Sequence, residues 1–256
     1  MITKLRNELK SDCGACSGLC CVALFFARTD GFPYDKDAGV PCRNLRDDFR
    51  CSIHDELAAR SLKGCIAYDC FGAGPKATGL CGKQAWRESP AGARETFAVF
   101  LAIHRLCQML WYLLDAEQEM PSNEIRRLIE ENVQAAQTAE KVLEFDFDGY
   151  KARVDAVLKK FAGTPVDADC IAKNFKGKNL EGADFSMSLL IAANMDGCRL
   201  AHANFLGADM RDANLCNADL SRSIFLTQGQ VNAARGNGNT KLPPWIDVPA
   251  AWNKKG

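Results

Sequence analysis

From Phe175 to Phe225 a large apolar residue returns at every fifth position: Phe175, Leu180, Phe185, Leu190, Met195, Leu200, Phe205, Met210, Leu215, Leu220 and Phe225. Two residues before most of them stands a small side chain, as at Ala183, Ser188, Ala193, Cys198, Ala203, Ala208, Ala213, Ala218 and Ser223. Asn or Asp fills many of the places between, as at Asp184, Asn194, Asn204, Asp209, Asn214 and Asp219. A period of five suits neither the turn of an α-helix nor the alternation of a flat strand. It fits a chain that turns a corner after every repeat and points both the large and the small residue inward. The small position stays small because the interior of such a coil is narrow. Stacked coils then bury one another's apolar faces, as in other solenoids. Cys198 takes a small inward place, Cys170 falls in phase with the large ones, and Cys216 is expected to point outward.

A bare coil end exposes unpaired backbone and needs a cover. Thr227-Gln-Gly-Gln230 has the spacing of a capping box, so a short helix through Val231 to Arg235, stopped by Gly236, is expected to close the C-terminal end together with the tryptophan tail.

Sulfur dominates the other end. Nine of the thirteen cysteines lie in the first 81 residues, and Cys20 and Cys21 are adjacent. The residues from Met1 to Lys10 are mixed and charged, so no secretory signal is expected. The apolar stretches are interrupted before bilayer length, so no membrane span is expected either. The expected compartment is therefore the cytoplasm, where structural disulfides are rare and clustered thiols favour metal binding. Lys plus Arg and Asp plus Glu number 32 each, which lacks the basic footprint of a nucleic-acid binder.

Metal sites need soft ligands converging from short loops. Cys13 and Cys16 present one Cys-x2-Cys pair, Cys51 and His54 a mixed sulfur–nitrogen pair, and Cys65 with Cys70 a looser one, while Cys42 stands alone. In extended backbone Cys20 and Cys21 would face opposite sides, so either one ligates and the other packs, or two centres share this loop. The candidate ligands are Cys13, Cys16, Cys20, Cys21, Cys42, Cys51, His54, Cys65 and Cys70. They suffice for two four-coordinate zinc sites, or for one iron–sulfur cluster with cysteines to spare. A module this small has little apolar core, so a bound metal would decide whether it folds. Phe71-Gly-Ala-Gly-Pro75 lacks a full nucleotide-loop pattern and reads as a turn.

Between the two ends the periodicity is helical. One helix opens at Ser89-Pro90 and carries Phe97, Phe100, Leu101, His104, Cys107, Trp111 and Leu114 on its apolar face. A second follows Pro121-Ser122, and a third carries Tyr150, Val154, Leu158 and Phe161. His104, a turn before Cys107, reads as a packed histidine rather than a ligand.

The five-residue pattern resembles the pentapeptide-repeat family, which implies a right-handed quadrilateral β-helix of four repeats per coil. Cys13-x2-Cys16-x3-Cys20-Cys21, Pro41-Cys42-x8-Cys51-Ser-Ile-His54 and then Cys65 resemble the CxxCxxCC zinc- or iron-chelating (YkgJ-like) domain family. The chain departs from that pattern by one extra residue before the double cysteine, by His54 where a tyrosine is usual, and by a longer gap before Cys65. The resemblance implies zinc or iron–sulfur binding. The expected fold class is α+β multi-domain. It comprises a small Cys-rich metal module at 1–85, a helical middle region at 86–163, a short right-handed quadrilateral β-helix of pentapeptide repeats at 164–227, and a capping helix and tail at 228–256. The expected function is cytosolic metal binding with the β-helix as a docking scaffold, for a protein partner or for self-association. The alternatives are a metal-dependent or iron–sulfur redox enzyme, or an interaction module of the gyrase-binding pentapeptide type.

Overall fold

The computed structural model describes residues 2–253, so residues 254–256 of the expected tail lie outside the described residues. The chain divides into two compact units. One comprises Met1–Cys65 with Cys70–Val157, the other Ile66–Asp69 with Leu158–Gly256.

The first unit is helical: α1 (Ile2–Glu8), α2 (Leu19–Ala23), α3 (Lys63–Ala67, whose end passes into the second unit), α4 (Ala73–Cys81), α5 (Ala85–Glu88), α6 (Pro90–Glu119), α7 (Asn123–Ala135), α8 (Ala139–Leu143) and α9 (Phe147–Leu158). Helix α6 starts where the sequence indicates, with Pro90 in its first turn and the Ser89 hydroxyl accepting from Gly92 N–H at 3.0 Å. Its face of Val99, Phe100, Ile103, Leu106, Leu113 and Leu114 is fully buried. Each such side chain stabilises the unit by about 1.5–3 kcal/mol. Ser122 caps α7 in the same way through Ile125 N–H. Buried Asn132 donates to Leu106 O at 3.0 Å and to Tyr150 Oη at 3.1 Å, tying α7 to α6 and α9. The Arg6 guanidinium fixes α1 to α6 by a buried ion pair with Asp115 and by lying 4.7 Å from the Trp111 ring.

Helix α6 corrects one expectation. It is long and apolar enough, by length and composition, to cross a membrane. Half of its most apolar stretch is buried inside the protein, as in a core helix. His104 packs edge-on against Phe71 at 5.8 Å, consistent with a packing role.

In the second unit the five-residue period becomes a coil. Parallel bridges join residues twenty apart, from Asp169–Leu189 and Asn174–Asn194 to Arg199–Asp219 and Asn204–Ile224. Each repeat closes a turn through an i to i+3 hydrogen bond, as from Lys178 N–H to Phe175 O and from Ala183 N–H to Leu180 O. The third residue of most turns has positive φ, as at Gly177, Gly182, Met187, Ala192, Gly197, His202 and Gly207. Asn and Asp recur because their side chains accept the N–H two residues ahead, as Asn194 does from Asp196 and Asn214 from Cys216. Phe185, Leu190, Met195, Leu200, Phe205 and Leu215 are wholly buried, as are Ala193, Ala203 and Ala213. Phe185 stacks on Phe205 at 5.5 Å.

The strands of a quadrilateral β-helix are not seen as such. A turn every five residues leaves too little extended chain, so among the described residues only β1 (Thr164–Pro165) and β2 (Ala183–Asp184) pair as strands and the rest are isolated bridges. At the C-terminal end α10 (Gln228–Ala233) carries the expected capping box between Thr227 and Gln230. Gln230 also donates to Phe205 O at 2.7 Å and Ala208 O at 3.0 Å, and buried Trp252 reaches Ala234 O. Ile66–Asp69 completes this end: Asn232 donates to Ile66 O at 3.3 Å, and a side chain at Gly229 would meet Ala67 O at 2.4 Å.

Candidate metal centre

The sulfur-bearing loops of the first unit are stitched together by backbone. Gly18, at φ 72°, turns the chain into α2, which carries Cys20 and Cys21. Cys42 N–H donates to Cys21 O at 2.9 Å and Gly39 N–H to Val22 O at 2.9 Å, laying the Cys42 loop against α2. Leu45 N–H returns to Cys42 O, and Leu45 forms an antiparallel bridge with Cys51. These contacts bring Cys21, Cys42 and Cys51 into one neighbourhood.

The Cys13–Cys16 loop is held elsewhere, on α4. Asp12 accepts from Gly14 N–H at 2.8 Å, and Ser17 N–H donates to Thr78 Oγ1 at 3.0 Å. Gly74 is needed there, because a Cβ on it would lie 2.6 Å from Cys16 Sγ and 3.9 Å from Cys70 Sγ. Ser11 Oγ lies 3.1 Å from Cys70 Sγ.

The thiols bear on one another electrostatically. Neighbouring protein atoms push Cys13 up to about 11 by desolvation, helped by Cys70, Cys16 and Cys21, although the residue itself is exposed. Burial pushes Cys65 up to about 12, with Cys21, Cys42 and Cys51 adding to the effect. Burial likewise raises Cys16 and Cys51, against N–H groups that favour their thiolates. Cys20 and Cys21 share a hydrogen bond at 3.9 Å. That bond and burial hold Cys20 well above the ordinary thiol range, while the same bond and the Lys36 ammonium hold Cys21 below it despite burial.

All eight predicted sulfur ligands lie in the first unit. His54 does not join them: it sits on an exposed turn with its ring 3.5 Å from Asp55. Cys81 keeps different company, Thr96 and Glu95. Among the described residues, no three His, Cys, Asp or Glu side chains are gathered closely enough to hold an ion as they stand. Thiols are the kind of donor a thiophilic ion takes, and Cys16 and Cys70 both lie beside Gly74.

Two residues escaped sequence reasoning. Lys36 is buried, with Nζ donating to Val22 O at 3.2 Å, Asp37 O at 3.0 Å, Val40 O at 2.8 Å and also to Leu24 O. Tyr34 donates to Cys42 Sγ at 3.2 Å. Both sit in Tyr34-Asp-Lys-Asp37, a polar run that reads as solvated loop. Gly74 stands in the glycine stretch read as a turn, which in fact opens α4 after the left-handed Phe71 and Gly72.

Comparison with known proteins bears on both units. The family model described as Pentapeptide repeats, eight copies, matches residues 188–225. A crystal structure of a pentapeptide repeat protein, Rfr23 from the cyanobacterium Cyanothece 51142, is similar over 30% of this chain and 56% of its own length, about half of that protein. Its identity is 24% and its TM-score 0.24. The Bacillus subtilis (strain 168) protein described as "Uncharacterized protein YybG" is 41% identical over 276 residues, covering 97% of this chain and 96% of that protein. The chain carries pentapeptide repeats at residues 188–225 and belongs to the family of YybG.

Proposed function

We propose that the chain is a cytoplasmic metal-binding protein of the CxxCxxCC type. Cys13, Cys16, Cys20, Cys21, Cys42, Cys51, Cys65 and Cys70 would hold zinc or an iron–sulfur cluster, and the coil, a right-handed quadrilateral β-helix, would serve as a docking surface. The observation that carries this reading is the confinement of these eight thiols to one small unit, where backbone contacts bring Cys21, Cys42 and Cys51 into one neighbourhood and Cys16 and Cys70 lie beside Gly74. Thiols left metal-free in such a group gain nothing from proximity, since each thiolate disfavours the next. A bound cation reverses that balance. Zinc there would supply folding free energy, and an iron–sulfur cluster would supply an electron carrier. His54 drops out of the proposed ligand set, because its ring is engaged with Asp55 at the surface.

Four turns per twenty-residue period support the quadrilateral reading of the coil. The coil's exposed Met187, Leu189 and Ile171 are apolar positions of the kind a protein partner would cover. Imitation of duplex DNA has less support. Among the described residues, paired positions in the coil run from Thr164 to Lys241, which at roughly 4.8 Å per coil makes a rod of about 15 Å.

The test is anaerobic purification followed by metal analysis and an absorption spectrum before and after reduction. Near-stoichiometric zinc or iron, lost when Cys13 and Cys16 become serine, is the expected result. Folded protein that carries no metal under those conditions ends the reading.

A further inference from the structure

Most turns of the coil obey one local rule. The Asn or Asp just before the large residue accepts the N–H two places ahead, as Asp169 does from Ile171 and Asp209 from Arg211. Leu189 stands at the same place and forfeits that cap. Two other departures have local accounts, since Ile224 is buried and Arg199 faces Glu181 at 3.8 Å. A second rule breaks two residues earlier. The positive-φ corners of the coil hold glycine, alanine or a polar residue, except at Met187. A long apolar side chain is strained there. Burial offsets neither departure, because Met187 is 74% exposed and Leu189 42%. Local rules given up without a gain in packing point to a surface kept for contact.

Both departures fall on one face. Leu189 bridges Asp169 in the coil before it and Asp209 in the coil after it. Ala172 N–H donates to Ile191 O at 2.8 Å, which sets Ile171, 48% exposed, beside half-buried Ile191. Met187 lies across the following coil, where a Cβ on Gly207 would collide with its Sδ. Charges of both signs edge the face. Arg211 pairs with Asp209 at 2.6 Å in one flanking coil, and Asp169 stands in the other, near the Lys173–Asp167 pair at 2.7 Å.

Spacing and charge identify the occupant. Side chains on this face repeat along the coil axis at about 4.8 Å. An apolar ladder of that pitch is matched by another of the same pitch, as the inner faces of packed sheets interdigitate. A two-fold axis through the coil of Leu189 and Ile191, parallel to the chain there, lays each of these residues against its own counterpart. It also brings the coil that carries Asp169 over the Asp209–Arg211 margin of the other copy, so a carboxylate approaches a guanidinium.

We propose that the chain self-associates through this face, a second copy related by a two-fold axis covering Ile171, Met187, Leu189 and Ile191. This rests on the docking reading of the coil and names its partner. A patch this small falls at the low end of interface sizes, so the dimer is expected in about the micromolar range.

Sedimentation of the reduced full-length chain from about 1 to 300 µM should show a monomer–dimer equilibrium. Leu189→Asn combined with Met187→Gly gives both positions the residues that the coil uses elsewhere. This variant should weaken the dimer by about 100-fold or more, while its dilute monomer melts within a few degrees of wild type or higher. Undiminished dimer affinity in the variant would overturn the proposal. So would a variant monomer that melts far below wild type, because the two side chains would then serve the coil itself. A photo-crosslinking amino acid at position 187, in the cells that make the protein, separates this proposal from the docking reading. A bond to a second copy supports both. A bond to a different protein, with wild type monomeric throughout the sedimentation range, removes self-association and keeps the docking surface. Monomer with no crosslinked product removes both.

Discussion

Replacing Gly74 by alanine tests whether the cradle beside Cys16 serves a ligand or merely accommodates a packed thiol. The new Cβ would stand 2.6 Å from Cys16 Sγ. Non-bonded heavy atoms settle near about 3.5–4.0 Å, so the sulfur must retreat by about 1 Å. Metal ligation tolerates about 0.2 Å. Apparent affinity should therefore fall by about 10- to 100-fold, the range seen when groups that orient metal ligands are lost. The opposing effect is helix propensity, where alanine in place of glycine contributes up to about 1 kcal/mol. That is worth roughly 2–4 °C in a chain of this size, so the metal-free protein should melt within a few degrees of wild type. Gly79, in the same helix, supplies the control, because its Cβ would meet nothing within 4 Å. Gly79→Ala should keep full affinity. The assay is competition for zinc against a chromophoric chelator, paired with melting curves with and without metal. Wild-type affinity in Gly74→Ala, with Cys16 still protected from alkylation, would refute the reasoning.

In the coil, Phe205→Ala removes a wholly buried ring stacked on Phe185 and should cost about 3–5 kcal/mol in denaturant unfolding of the C-terminal unit. Thr227→Ala breaks the capping box and should cost about 1 kcal/mol, read as a lowered melting temperature of the same unit. Asp196 is held below the ordinary carboxylate value by Lys176 and Asn217, and Asp219 by Ser221 and Lys241. Their folded-state pKa values are lowered, so their contribution is present above about pH 4 and is lost as pH falls further. Circular dichroism on acidification should show the loss, and a coil equally stable at pH 2 and pH 6 would contradict it.

The coil was legible because one physical solution repeats: each five-residue unit names its inward large residue, its inward small residue and its corner cap. The corner conformation was not legible. Met187, Ala192 and His202 adopt the positive φ that glycine takes at the equivalent places, and nothing in those residue types announces it. The starts of α6 and α7 were readable from Ser89-Pro90 and Ser122, whereas α8 has too few residues to show a period. At the cysteines, residue type and spacing indicated the chemistry. The grouping depends on contacts between distant stretches, such as Cys42 with Cys21 and Gly74 with Cys16. Lys36 was hidden for the same reason, since a lysine among aspartates reads as solvated until the carbonyls that bury it are known.

Ile66–Asp69 belongs to the C-terminal unit, while the residues on either side of it, Cys65 and Cys70, belong to the N-terminal one. The two bodies are therefore interleaved, and no single cut of the polypeptide releases either one intact. A fragment beginning at Leu158 would keep Asn232 but lose the Ile66 carbonyl to which it donates. During synthesis, that short stretch must wait for a partner 166 positions downstream.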